Sequence, residues 1–174
     1  MSDTATMHID GASRGNPGAA AYAVVLARPG APVVEEADTI GTASNNVAEY
    51  RGAIAGLQHA HEIDPAATVE VRMDSKLVVE QMSGRWQIKH PDMRELARRA
   101  RSAFPPGQVA YTWVPRAQNK LADALVNEMI DRALAGDPSR IARLDGVPAE
   151  DAQVIDFTRD LLAKHRVDEA LAQA

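Results

Sequence analysis

What most limits the folds open to this chain of 174 residues is the order in which its hydrophobic periods change. Two β-prone runs, residues 4–10 and 18–28, flank DGASRGNPG, whose glycines and proline mark a turn rather than a helix. A third, weaker run at about 33–41 is bounded by Pro32 and Gly41. Helical spacing begins only after these three, with Val47, Tyr50, Ile54, Leu57 and His61 recurring on one face until Pro65. Strand and helix then alternate. TVEVRM (68–73) predicts a strand, and SKLVVEQM (75–82) a short helix capped by Ser75. A basic amphipathic helix follows over 92–104, then a strand over 108–114 and a closing helix over roughly 118–134. Three strands ahead of an alternating series predict an α/β mixed sheet flanked by helices.

After Gly136 the composition shifts. GDPSR and GVPAED read as linker and turn, and a helix is expected from about 150 to 170, with Val154, Ile155, Leu161, Leu162 and Leu171 as its apolar contacts. The expected division is a domain over 1–135 and a linker with a short C-terminal helical extension over 136–174, too short for a core of its own. The chain has no cysteine, which excludes disulfides and thiolate metal sites and leaves oxygen and imidazole ligands, so that any metal is a hard one. No apolar stretch approaches the roughly 20 residues of a membrane span, and the N-terminus lacks a secretory pattern. A cytoplasmic protein with no membrane partner is expected.

A net charge of −5 argues against holding nucleic acid by bulk positive charge. The distribution weakens that objection, because residues 136–174 carry five basic against eight acidic groups, while residues 72–101 carry eight basic against four acidic. That local basic stretch is equally well read as a solvated helix face.

The acidic residues at element edges carry the chemistry. Asp10 is expected at the end of the first strand, Glu49 in the first turn of the long helix, Asp74 closing the fourth strand and Asp123 in the last helix. Each has an ordinary explanation. Asn46 with Glu49 fits a capping box, Asp10 and Asp74 fit turn and helix initiation, and Asp123 fits an exposed helical carboxylate. Together they point to a site at the carboxyl ends of strands, where open α/β sheets bind ligands. Converging carboxylates repel one another and persist when cations neutralise them. With no cysteine and no suitably spaced histidine, the natural occupants are Mg²⁺ or Mn²⁺. Two such ions about 3.5–4 Å apart clamp a phosphodiester for hydrolysis.

DGASRGNPG, TASNNVAEYRGAIAGL, MDSKLVVEQMSG and WVPRAQNKLADAL resemble, in order, the four signature segments of type 1 ribonuclease H over about residues 6–134. The resemblance implies a ribonuclease H-like fold with a five-stranded mixed sheet of order 3-2-1-4-5, strand 2 antiparallel. It implies two Mg²⁺ or Mn²⁺ ions held by Asp10, Glu49, Asp74 and Asp123, and no small-molecule cofactor. The implied reaction is endonucleolytic cleavage of the RNA strand of RNA–DNA hybrids, leaving 5′-phosphate and 3′-hydroxyl ends. Substrate contacts are implied for the loop that includes Gly11, Arg14 and Asn16, and for Asn45 and Asn46, whose amides reach 2′-hydroxyls, with Ser75 and Gln81 as further candidates. Asn119, four residues before Asp123, resembles the family's supporting asparagine and joins the substrate-side group.

The chain departs from the family pattern in two places. Many relatives carry a histidine between the last strand and last helix; here the loop is VPRAQ, with Arg116 as its charged group and the candidate for the missing role. SGRWQIKHPD is shorter than the basic protrusion with which some relatives grip DNA. Trp86 reads as a packing residue or a sugar-stacking one, and His59 and His61 read as ordinary helix residues. Two rival readings stay open: a hybrid-binding module without catalysis, and another nuclease sharing the fold.

Overall fold

Residues 4–148 are described by a computed structural model. Strands β1 (Thr4–Arg14) and β2 (Gly18–Ala27) form an antiparallel hairpin paired from Thr6–Ala27 to Arg14–Ala19. β3 (Val34–Ala43) pairs antiparallel with β2. Helix α1 (Asn45–Ile63) then crosses back, and β4 (Thr68–Met73) pairs parallel with β1. Helices α2 (Lys76–Met82) and α3 (Pro91–Ala103) precede β5 (Val109–Trp113), which is parallel to β4, and α4 (Lys120–Leu134) follows it.

β1 runs four residues further than expected. The turn-like letters of DGASR still pair with β2, so Asp10 lies inside the strand rather than at its end. The sheet also has seven strands where five were expected. The inner five keep the expected order, and β6 (Ile141–Leu144) and β7 (Val147–Pro148) extend it as β5-β4-β1-β2-β3-β6-β7. The Gly and Pro content that suggested a linker here belongs to a hairpin. Asp145 and Gly146 both have positive φ (49° and 81°) between Leu144 and Val147, which pair, and Asp-Gly in that place is a strong hairpin signal. β6 is held by hydrogen bonds to β3, by burial of Ile141, and by Arg143, which pairs with Glu35 and Glu128. The helix expected at about 150–170 lies outside the described residues.

Alternation along the strands divides the core into two layers. Ala5, Met7 and Ile9 of β1 and Val69, Val71 and Met73 of β4 face α1, α2 and α3, packing with Tyr50, Leu57, Ala97 and Phe104. Ala21, Ala23 and Val25 of β2 face α4, where Val126, Met129 and Ile130 meet Ile141. α1 lies close on the sheet because Gly52 faces it: a Cβ there would stand 2.7 Å from Ile9 Cγ2. Among the described residues, no helix is long and apolar enough to cross a membrane.

Candidate active site

The parallel ladder between β1 and β4 ends at the pair Ile9–Met73. The next residue on each strand is Asp10 and Asp74, so the two carboxylates emerge side by side at the carboxyl end of β4. Glu49 reaches the same place from α1 because residue 11 has no side chain. A Cβ on Gly11 would stand 2.3 Å from the backbone of Ala48 and Glu49, a distance no packed structure accepts. The Gly11 N–H also donates to Asp10 Oδ1 at 3.0 Å. Asp10, Glu49 and Asp74 each offer a carboxylate oxygen, and these oxygens lie within 4.8 Å of one another. Asp123, from the first turn of α4, stands outside this triad but close enough to Asp10 for its charge to raise that carboxyl.

Burial makes this cluster electrostatically costly. Asp10 and Glu49 are 5% and 8% exposed. Burial first, and then the charges of Asp74 and Asp123, push the Asp10 carboxyl up to about 7. Burial and then Asp10 and Asp74 push Glu49 well above the usual carboxylate range. Glu49 Oε2 is buried without any protein donor. An orphaned buried oxygen beside two further carboxylates suits a hard cation, and an all-oxygen set is the donor chemistry of Mg²⁺ and Mn²⁺. Arg116 Nε lies 3.7 Å from Asp74 Oδ2 with its side chain 84% exposed, so the guanidinium stands at the rim with room to reach a ligand.

The turn between β1 and β2 and the start of α1 form one polar edge beside the triad. Asn45 Oδ1 accepts from the Ser13 N–H and hydroxyl at 2.9 and 3.1 Å, and the Asn45 N–H donates to Asn16 Oδ1 at 3.1 Å. Both carbonyls are thus turned inward. Asn16, Asn45 and Asn46 are exposed, and among the described residues no protein acceptor takes their NH₂ groups. Ser44, not Asn46, caps α1 by accepting from the Val47 N–H at 3.2 Å, so Glu49 is the fifth helical residue and the expected capping box is absent. Asn46 is left at the surface. Ser75 caps α2 as expected.

Other expected substrate contacts are placed elsewhere. Gln81 is buried, its Oε1 accepting from Tyr50 Oη at 2.6 Å, and it ties α2 to α1. Asn119 is also buried and donates to the Ile9 carbonyl at 2.9 Å, which fixes the strand end beneath Asp10. Neither touches a surface where a duplex can lie. Arg14 is exposed but held on α4, its Nη2 donating to Asn127 Oδ1 at 3.1 Å and Asp131 Oδ1 at 2.9 Å. In the basic stretch, Arg72, Arg85 and Arg98 pair with Glu70, Glu80 and Glu95, which reduces its net field. His59 is not idle: with Arg140 it binds the buried Glu36. His61 packs edge-on against Phe104. Trp86 is 44% exposed.

Sequence reasoning missed Ser44, Ser13, Trp113 and Asn127. Trp113 Nε1 donates to the Asp74 carbonyl at 3.2 Å, and the Asn127 amide donates to Asp123. Only Asn127 carried a local signal, standing one helical turn after Asp123.

The family model described as reverse transcriptase-like matches residues 8–129. The crystal structure of ribonuclease H1 from the archaeon Halobacterium salinarum is 44% identical, covering 74% of this chain and 98% of that one, with a TM-score of 0.69. The chain belongs to the type 1 ribonuclease H family. A second ribonuclease H neighbour, the N-terminal domain of a Mycobacterium tuberculosis protein solved as a fusion with maltose binding protein, is 45% identical, covers 77% of this chain and 98% of that one, and has a TM-score of 0.68. LC11-RNase H1, solved in complex with an RNA/DNA hybrid, is 35% identical with a TM-score of 0.68, covering 75% and 99%. Among curated relatives, a bifunctional protein of M. tuberculosis is 49% identical over 144 residues, and this chain spans 38% of its length. The ribonuclease HI of H. salinarum is 45% identical over 128 residues, 72% of this chain and 64% of that relative. The ribonuclease H fold therefore accounts for the inner five strands and four helices, with α/β architecture as expected.

Proposed function

We propose that this chain is a metal-dependent endonuclease that hydrolyses the RNA strand of RNA–DNA hybrids, leaving 5′-phosphate and 3′-hydroxyl ends. The observation that carries the proposal is the cluster of Asp10, Glu49 and Asp74, closed by Asp123, on a ribonuclease H fold. Asp10, Glu49, Asp74 and Asp123 would hold two Mg²⁺ or Mn²⁺ ions. Such ions, when bound, supply Lewis acidity toward an attacking water and toward the leaving 3′ oxygen. The rest is done by the chain. Gly11, with no side chain, and buried Asn119 fix where Asp10 and Glu49 stand. Asn16, Asn45 and Asn46 leave amide donors at the surface on the edge next to the triad, available to the 2′-hydroxyls that distinguish RNA from DNA. Ser75 lies at the same rim, with its hydroxyl proton left to donate. Arg116 carries a fixed positive charge to the phosphate. The RNA/DNA hybrid in the LC11-RNase H1 complex supports the substrate class.

The test is cleavage of end-labelled hybrid, duplex RNA, duplex DNA and DNA with one ribonucleotide, with Mg²⁺ or Mn²⁺. Hybrid is expected to be cut and duplex DNA left intact. Asp10→Asn and Asp74→Asn should abolish hydrolysis while hybrid binding stays within a few-fold, since each removes charge without changing shape. Full activity of either variant with Mg²⁺ would overturn the assignment, and binding without cleavage by the unaltered chain would favour the binding-module reading.

A further inference from the structure

We propose that Asn127 is a positioning residue for Asp123 and that Arg14 fixes Asn127 in that role, an inference that rests on the reading of Asp123 as a metal-holding carboxylate. Asn127 follows Asp123 by one turn of α4. Its Nδ2 donates to the Asp123 carbonyl at 2.9 Å and stands 3.4 Å from Asp123 Oδ1. On the other side its Oδ1 accepts from Arg14 Nη2 at 3.1 Å.

The arginine decides the orientation of the amide. A guanidinium only donates, so it takes the oxygen of Asn127 and thereby turns the NH₂ group toward Asp123. Without Arg14 only the bond to the Asp123 carbonyl holds the amide in that sense, which is why the effect expected of Arg14 is the smaller one. Asp123 needs such help more than its neighbours do: it lies outside the triad, on a helix rather than a strand end, and is only half-buried. Asp131 Oδ1, 2.9 Å from the same Arg14 nitrogen, anchors the guanidinium from the next turn of α4.

Arg14 also sits in the turn that Ser13 and Asn16 tie to Asn45. One rigid turn therefore joins the edge facing the hybrid to the fourth carboxylate. Two side-chain hydrogen bonds lead from that turn to Asp123. This gives Arg14 a place in the site without contact to nucleic acid.

Mn²⁺ binding to the substrate-free protein, followed by electron paramagnetic resonance, and the Mg²⁺ concentration for half-maximal turnover are the two readouts. Asn127→Leu, which keeps the branching at Cγ but can neither donate nor accept, and Asn127→Ala should each weaken metal binding about tenfold or more, as loss of a ligand-orienting partner does. KM for hybrid should stay within about twofold and the melting temperature within a few degrees. Arg14→Ala should shift the metal requirement in the same direction by a smaller factor. In an Asp123→Asn background the Asn127 substitution should add nothing.

A loss confined to the melting temperature overturns the proposal, as does a further loss of the same factor on top of Asp123→Asn, which would mean Asn127 acts on the whole site. If Asp123→Asn is impaired while the Asn127 variants bind metal normally, the positioning role fails and the metal-holding reading stands. If Asp123→Asn hydrolyses hybrid like the unaltered chain, both fall.

Discussion

At Asp10 the same burial that shapes the site makes it sensitive to pH. Its carboxyl titrates at about 7 rather than near the ordinary 3.8, so across that interval the folded chain keeps a proton that the unfolded chain has released. The contribution to stability is complete below about pH 4, is lost as pH rises to 7, and is flat above; a displacement of that size corresponds to a few kcal/mol. Glu49 acts in the same direction. A bound cation removes the penalty at high pH. The melting temperature with Mg²⁺ minus that with a chelator should therefore be several degrees larger at pH 8 than at pH 5.5, and equal differences at both would contradict the electrostatic account. At Arg116 the argument concerns the substrate. Arginine stays charged throughout and cannot serve as a base, so a role at the phosphate predicts that Arg116→Ala lowers kcat by roughly tenfold or more. A steering role predicts instead a raised KM, weaker salt dependence and unchanged kcat. Measuring both constants across ionic strength for the alanine, lysine and histidine variants separates the two.

The packing of α1 on β1 is the contact on which the geometry of the triad depends. Gly11→Ala places a methyl inside the backbone of Ala48 and Glu49, and the helix must move to admit it. Overpacking of this kind costs about 1–3 kcal/mol, and displacement of Glu49 should lower turnover roughly a hundredfold or more, far beyond what partial unfolding explains. Circular dichroism melts beside single-turnover rates would show it, and near-normal turnover would mean the helix yields without moving Glu49. The β6–β7 hairpin makes a contrasting case. It covers the edge of β3, buries Ile141 and brings Arg140 and Arg143 to Glu36, Glu35 and Glu128, yet no residue of it approaches Asp10. Truncation after residue 136 should lower the melting temperature and leave turnover per folded molecule within a few-fold. We propose on the same ground that residues 1–135 hold all the chemistry; a truncated chain that folds but does not cleave would refute it.

For the whole molecule, what could be read in advance was whatever repeats locally. Most of the inner strands and the four α-helices of the described residues show their period in the letters, and the four acids could be assigned because their flanking segments resemble a known family. What escaped depended on partners distant in sequence. Ser44, Asn45 and Asn46 are all capping residues by type, and only the backbone path chooses the serine. Gln81 shares a helix face with Val78 and Met82, but nothing near it announces that the Tyr50 hydroxyl will arrive from 31 residues away. Asn119 meets a carbonyl 110 residues earlier. β6 is the exception, since Asp145-Gly146 was legible as a hairpin and was outweighed by the surrounding Gly and Pro. The spread of the four acids from residue 10 to residue 123 has a further consequence, for synthesis. Chains emerge from the ribosome N-terminus first, at about 5–20 residues per second. Asp10, Glu49 and Asp74 come out with the first four strands, and Asp123 waits for α4. On the proposed reading a nascent chain therefore carries a site one carboxylate short, and the set that would hold the ions is complete only with the last helix.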